Sequence, residues 1–135
     1  MQLIAKQNQN IIYQHTGTRS LVTLDPALLK NCIINLIGNA IKYSGENTFI
    51  EFNTEIAEDE LLVIIKDDGI GIPGSDQKHL FEAFFRANNT GSIPGTGLGL
   101  NIVTRYVALM KGSIKFESKV NQGTLFALSF PLSLS

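Results

Sequence analysis

The segment from Asp25 to Tyr43 constrains the fold more than any other. Asp25 is a helix-capping residue, and Pro26 suits the first helical position. Behind them Leu29, Cys32, Ile33, Leu36, Ile37, Ala40 and Ile41 keep helical spacing as far as Tyr43, where Ser44-Gly45-Glu46-Asn47 stops the run. A helix with one apolar stripe needs a surface to bury it against, and strands supply one. Phe49 to Thr54 and Leu61 to Lys66 read as a strand pair joined by a hairpin-like loop, Ala57 to Glu60. Ser113 to Ser118 and Thr124 to Phe130 read as a closing pair, and Asn10 to His15 and Leu21 to Leu24 as two short strands around Thr16-Gly17-Thr18. Met1 to Asn8 is polar and reads as the end of a helix. A short helix is predicted from near Ser75 to Phe85, and a longer one from about Gly97 to Met110. Hairpins mixed with about three helices predict a two-layer α/β sandwich with a mixed, mostly antiparallel sheet.

Bulk properties narrow the function classes. A chain of 135 residues, 44% hydrophobic and 17% charged, fits one globular domain with a real core. A formal net charge of -1 gives no electrostatic reason to expect nucleic acid or an anionic membrane as partner. No apolar run approaches the roughly 20 residues needed to cross a bilayer. Cys32 is the single cysteine, so no internal disulfide forms and a reducing cytoplasm is the expected compartment. Its apolar neighbours Leu29, Ile33 and Leu36 predict a buried, unreactive thiol.

Three stretches carry chemistry. On the first helix, Asn35, Asn39 and Lys42 share an arc of about 60° beside the apolar stripe. That arc is either a solvated helix edge or a set of polar contacts: carboxamide oxygens suit Mg²⁺, which keeps waters and phosphate oxygens, and Lys42 would neutralise phosphate. The apolar strand Leu61 to Ile65 runs into Asp67-Asp68-Gly69-Ile70-Gly71-Ile72. A carboxylate closing such a strand needs donors. The amine of adenine is one, and guanine would present a carbonyl there instead; a capping Asp in a glycine turn is the other reading. Gly95-Thr96-Gly97-Leu98-Gly99-Leu100 opens the later helix, where exposed amides favour an anion. Its G-x-G-x-G spacing is not the Rossmann interval, and Lys111-Gly112-Ser113 has the wrong order for a Walker loop.

From about Asp25 to Pro131 the chain resembles the catalytic ATP-binding domain of bacterial sensor histidine kinases, in the superfamily of gyrase-type topoisomerases, heat-shock chaperones and mismatch-repair ATPases. Asn35 to Tyr43 is similar to the family's asparagine box, Asp67 to Ile72 to its first glycine box, and Leu80 to Arg86 to its phenylalanine box. Gly95 to Leu100 is similar to the second glycine box, and Gly123-Thr124 to the Gly-Thr before the last strand. The resemblance implies residues 1–24 as a lead-in and 25–135 as the ATP-binding domain. It implies Mg²⁺ on Asn39, phosphate or metal-bound water on Asn35 and Lys42, and the adenine amine on Asp67. Gly69, Gly71 and Ile72 would shape that end, Thr124 would add a direct or water-mediated contact, and Tyr43 and Phe84 would lie beside the nucleotide. Arg86 would reach toward the terminal phosphates, with Gly95, Thr96, Gly97, Leu98 and Gly99 forming the phosphate end of a lid built from Ala87 to Pro94.

One residue separates the branches. ATP-hydrolysing relatives carry a water-activating glutamate where this chain has Asn35, which cannot take a proton. That absence suits transfer of the γ-phosphoryl group to an outside nucleophile, which the resemblance implies is a histidine on a separate helical hairpin. Neither His15 nor His79 lies in such a hairpin; both read as structural or solvated. The chain therefore reads as a piece of a longer kinase, monomeric by itself, with a homodimeric parent and a response regulator as the later acceptor. Sensing and any membrane anchor would lie outside these residues. The rivals are a serine or threonine protein kinase of the same superfamily, which tends to carry the missing glutamate, and a degenerate scaffold that senses nucleotide without catalysis.

Overall fold

Asp25 begins the first helix as expected of a capping residue: its Oδ1 accepts from the backbone N–H groups of Ala27 (3.0 Å) and Leu28 (3.1 Å). In the computed structural model, which describes residues 9–17, 24–57, 59–87 and 99–132, α1 then runs Pro26–Tyr43 and ends where the Ser44 N–H donates to the Ala40 carbonyl. Its buried stripe is Cys32, Leu36, Ile37, Ala40 and Ile41, which lies within the predicted apolar set. The remaining elements are β1 (Asn10–Gly17), β2 (Phe49–Ala57), β3 (Glu60–Asp67), α2 (Gly74–Gln77), α3 (Gly99–Leu109), β4 (Ser113–Lys119) and β5 (Gly123–Pro131).

The strands form one sheet in the order β1-β2-β3-β5-β4. Among the described residues only the β1–β2 pair is parallel; the other three pairings are antiparallel. Leu61, Val63 and Ile65 of β3 pair with Phe130, Leu128 and Phe126 of β5, and all six are buried on one face. Because side chains alternate along a strand, the intervening Leu62 and Ile64 point the other way and are only half-buried. The helices cover the buried face: Cys32 and Leu36 of α1 and Val103 and Val107 of α3 join the strand residues in one core. This is the two-layer α/β sandwich the pattern of elements predicted.

Two local expectations change. The helix predicted from near Ser75 to Phe85 is one turn, α2, followed by separate turns in which His79, Leu80, Glu82 and Phe85 donate to carbonyls three residues back. Phe84 sits at φ 65°, which no right-handed helix accommodates. Leu80 is drawn into the core, and the Asn101 side chain takes the Phe81 carbonyl (3.1 Å), so tertiary contacts replace the helical ladder. Among the described residues the three helices α1, α2 and α3 stand as expected, α2 being a single turn. At the N-terminus, Thr16 and Gly17 belong to β1 rather than to a turn, because all eight β1 residues pair with β2. The second strand expected there, from Leu21, lies outside the described residues apart from Leu24.

Candidate nucleotide-binding site

Two ends of a site are laid out along one side of α1. At its C-terminal end, the Tyr43 carbonyl accepts from the Ile70 N–H (3.0 Å), fastening the first glycine turn to the helix. Asp67, the last residue of β3, is 7% exposed, and its Oδ1 accepts from the Gly69 N–H at 2.8 Å. Burial pushes its carboxyl up from 3.8 to about 6, against the pull of backbone hydrogen bonds from Gly69 and Thr124. Thr124 lies directly opposite it on β5 and is buried as well.

The glycines here follow from crowding. Gly71 adopts φ 71° and Gly123 φ 105°, and a Cβ at either would overlap the Lys119 or the Asp67 carbonyl oxygen. Ile72 continues the turn and donates its N–H to Ser118 Oγ at 2.8 Å. Gln77 of α2 donates to the carbonyls of Ile72 and Ser118, both at 3.1 Å. Asp67, Gly69, Gly71, Ile72 and Thr124, chosen from sequence, are thus brought together. Ser118 and Gln77 were missed, since the only signal for Ser118 is its cross-strand pairing with Thr124, which exists once β4 and β5 are in register.

At the other end, Asn35 and Asn39 face the start of α3. A Cβ placed on Gly99 would stand 3.2 Å from Asn35 Oδ1 and 4.0 Å from Asn39 Oδ1, so two carboxamide oxygens converge there. The orientation of Asn35 is chemically determined: its Nδ2 donates to the Asn31 carbonyl (2.9 Å), which can only accept, leaving Oδ1 as the end turned to α3. Eight residues separate Asn35 from Tyr43, and at 1.5 Å each the two ends of the site are about 12 Å apart along the helix. Lys42 is exposed and Tyr43 half-buried. Arg86 is half-buried, whereas Phe84 is 73% exposed. Gly95, Thr96, Gly97 and Leu98, and the lid but for Ala87, lie outside the described residues.

The remaining reactive groups read as structural. Cys32 is fully buried with its Sγ against the Val103 carbonyl, and desolvation pushes its thiol up to about 11, far from thiolate chemistry at neutral pH. His15 lies on the exposed edge strand beside Thr54 Oγ1 (2.7 Å), and His79 pairs with Glu82 one turn away.

This two-layer sandwich is the fold of an ATP-binding domain of the kinase and chaperone type. Residues 24–134 match the family of histidine kinase-, DNA gyrase B-, and HSP90-like ATPases, and the chain belongs to it. Within that family it is of the sensor histidine kinase kind. It is 36% identical over 111 residues to the signal transduction histidine-protein kinase ArlS of Staphylococcus aureus (strain USA300), a match that covers 81% of this chain. The match takes in 25% of ArlS, so the chain spans about a quarter of that curated relative's length. Among solved structures, the mycobacterial sensor histidine kinase MprB superposes with TM-score 0.82 at 26% identity, over 95% of this chain and 86% of that one. The catalytic domain of histidine kinase ThkA superposes with TM-score 0.78 at 29% identity, over 92% and 80% of the two chains. No helix among the described residues is long and apolar enough to cross a membrane.

Proposed function

We propose that the domain binds Mg-ATP and donates the γ-phosphoryl group to a histidine on a helical hairpin of the parent kinase. The observation that carries this reading is the placement of Asp67 and Thr124 at one end of α1 and of two carboxamide oxygens at the other. Asp67 accepts from the adenine amine, with Thr124 beside it; Gly69, Gly71 and Ile72 bring the backbone close to the base, and Tyr43 and Phe84 flank it. Asn39 would hold Mg²⁺, since a carboxamide oxygen is a hard neutral donor suited to that ion. Magnesium supplies charge neutralisation on the phosphates. Lys42 and Arg86 add cationic charge, and Asn35 orients phosphate or water. The backbone amides opening α3, with Gly95 to Leu98 before them, favour the anionic chain.

Asn35 decides the fate of the phosphoryl group. A carboxamide takes no proton, so water is not activated and ATP is held for another nucleophile. An imidazole nitrogen attacks the γ-phosphorus as the bond to the bridging oxygen breaks, and ADP leaves. Transfer of this kind rests on positioning and electrostatics rather than on a strong base. The response regulator then takes the phosphoryl group from the hairpin histidine. The domain alone is monomeric, and dimerisation belongs to the hairpin.

Calorimetric titration with ATP, with and without Mg²⁺ and with GTP as control, tests the site. Mg-dependent binding of ATP and not GTP is the expected result. Asn39→Ala should remove most of the Mg dependence; a dependence that survives intact would show that Asn39 is not the ligand. Labelled phosphate should pass to a supplied histidine hairpin and not to a serine-bearing protein.

A further inference from the structure

Ser118 stands at the meeting point of four segments that the nucleotide site needs in register. Its hydroxyl oxygen accepts from the Ile72 N–H at 2.8 Å, lies 2.8 Å from Thr124 Oγ1, and lies 3.0 Å from the Gly123 carbonyl oxygen. Its own carbonyl takes Gln77 Nε2. A serine hydroxyl has one proton and two lone pairs, and three partners use all of them. Ile72 can only donate, so it occupies one lone pair. Gly123 O can only accept, so it takes the proton. The second lone pair must then receive the proton of Thr124. The Thr124 hydroxyl is left with its own lone pairs for a ligand, next to the acceptor carboxylate of Asp67, its cross-strand neighbour.

We propose that Ser118 is a positioning residue for base selection: it locks Thr124 as an acceptor, so the pocket's base end presents only acceptors. This rests on the nucleotide reading above and deepens it. A 6-amino purine meets two acceptors with two N–H groups. A 6-oxo purine brings a carbonyl oxygen and a single N–H, on N1, and with Thr124 locked, that hydroxyl cannot turn round to donate to the carbonyl. Without Ser118 it can.

The test compares ATP with inosine triphosphate, which differs at the 6 position and in the proton on N1, by calorimetry on the whole chain. Ser118→Ala should lower the ATP-to-ITP affinity ratio by roughly 2- to 10-fold, the range of one neutral hydrogen bond. Ser118→Thr, which keeps the hydroxyl, should retain the ratio. A purely structural role would weaken both nucleotides in proportion, and an unchanged ratio in Ser118→Ala would overturn the lock. Should Ser118→Ala not fold, Thr124→Val decides. It removes the fixed acceptor and should also lower the ratio; a ratio as high as wild type overturns the proposal. A double variant should show no further change, because Ser118 acts through Thr124. Wild-type protein that binds neither nucleotide would instead overturn the nucleotide reading itself, and the lock with it.

Discussion

Asp67 sits in an energetic conflict that its position in the site explains. Burial raises its carboxyl from 3.8 to about 6, so between those values the folded chain binds more protons than the unfolded one. Stability therefore falls as pH rises from about 4 to about 6. Above that, the empty domain bears the full cost of a buried carboxylate, on the order of 2–3 kcal/mol. A ligand N–H would offset part of this cost. Two expectations follow for the same residue. ATP affinity should weaken as pH drops below about 6, where the acceptor becomes protonated; a flat profile from pH 5 to 8 would show that the carboxylate does not hold the base. Asp67→Asn should raise the melting temperature of the nucleotide-free domain at pH 7.5 while weakening ATP by about 1.5–3 kcal/mol through a lost charge-assisted hydrogen bond. An unchanged affinity would remove Asp67 from the site. The residue was legible in sequence because a charge closing an apolar strand needs partners. Ser118 was not, because nothing within β4 distinguishes it from Ser113 until Thr124 is opposite.

At the scale of elements, legibility tracked how local the forces are. The α1 helix was readable at both ends because its cap, its proline and its apolar spacing all act within a few residues. Removing the cap with Asp25→Ala should cost about 1 kcal/mol, lowering the melting temperature by about 3–5 °C. ATP affinity should hold, since the cap lies a few turns from Asn35 and Asn39; a loss of affinity would mean that the cap positions the site. The segment after α2 behaved oppositely. Its aromatic run has helical spacing, but the Leu80 side chain and the Phe81 carbonyl are claimed by the core and by Asn101, and Phe84 is turned into the left-handed region. Contacts from elsewhere in the chain outweighed propensity there.

At the scale of the whole molecule, the sandwich has one covered sheet face, and its integrity depends on the strand residues beneath the helices. Phe130 is fully buried at the sheet's centre-line pairing with Leu61. Phe130→Ala should cost roughly 3–5 kcal/mol, and chemical denaturation should show a lower midpoint at an unchanged slope; a loss under 1 kcal/mol would mean that the core collapses around the gap. Element types, the two-layer architecture, the asparagine pair and the carboxylate were set by periodicity, capping chemistry and the need of buried polar groups for partners, all of which act over short stretches of chain. The parallel seating of β1 on β2, the shortening of the predicted second helix to a single turn and the Ser118–Thr124 pairing were settled by assembly alone. Each depends on which distant segment arrives alongside, and that is an outcome of packing one face of a sheet under two helices rather than of any local preference.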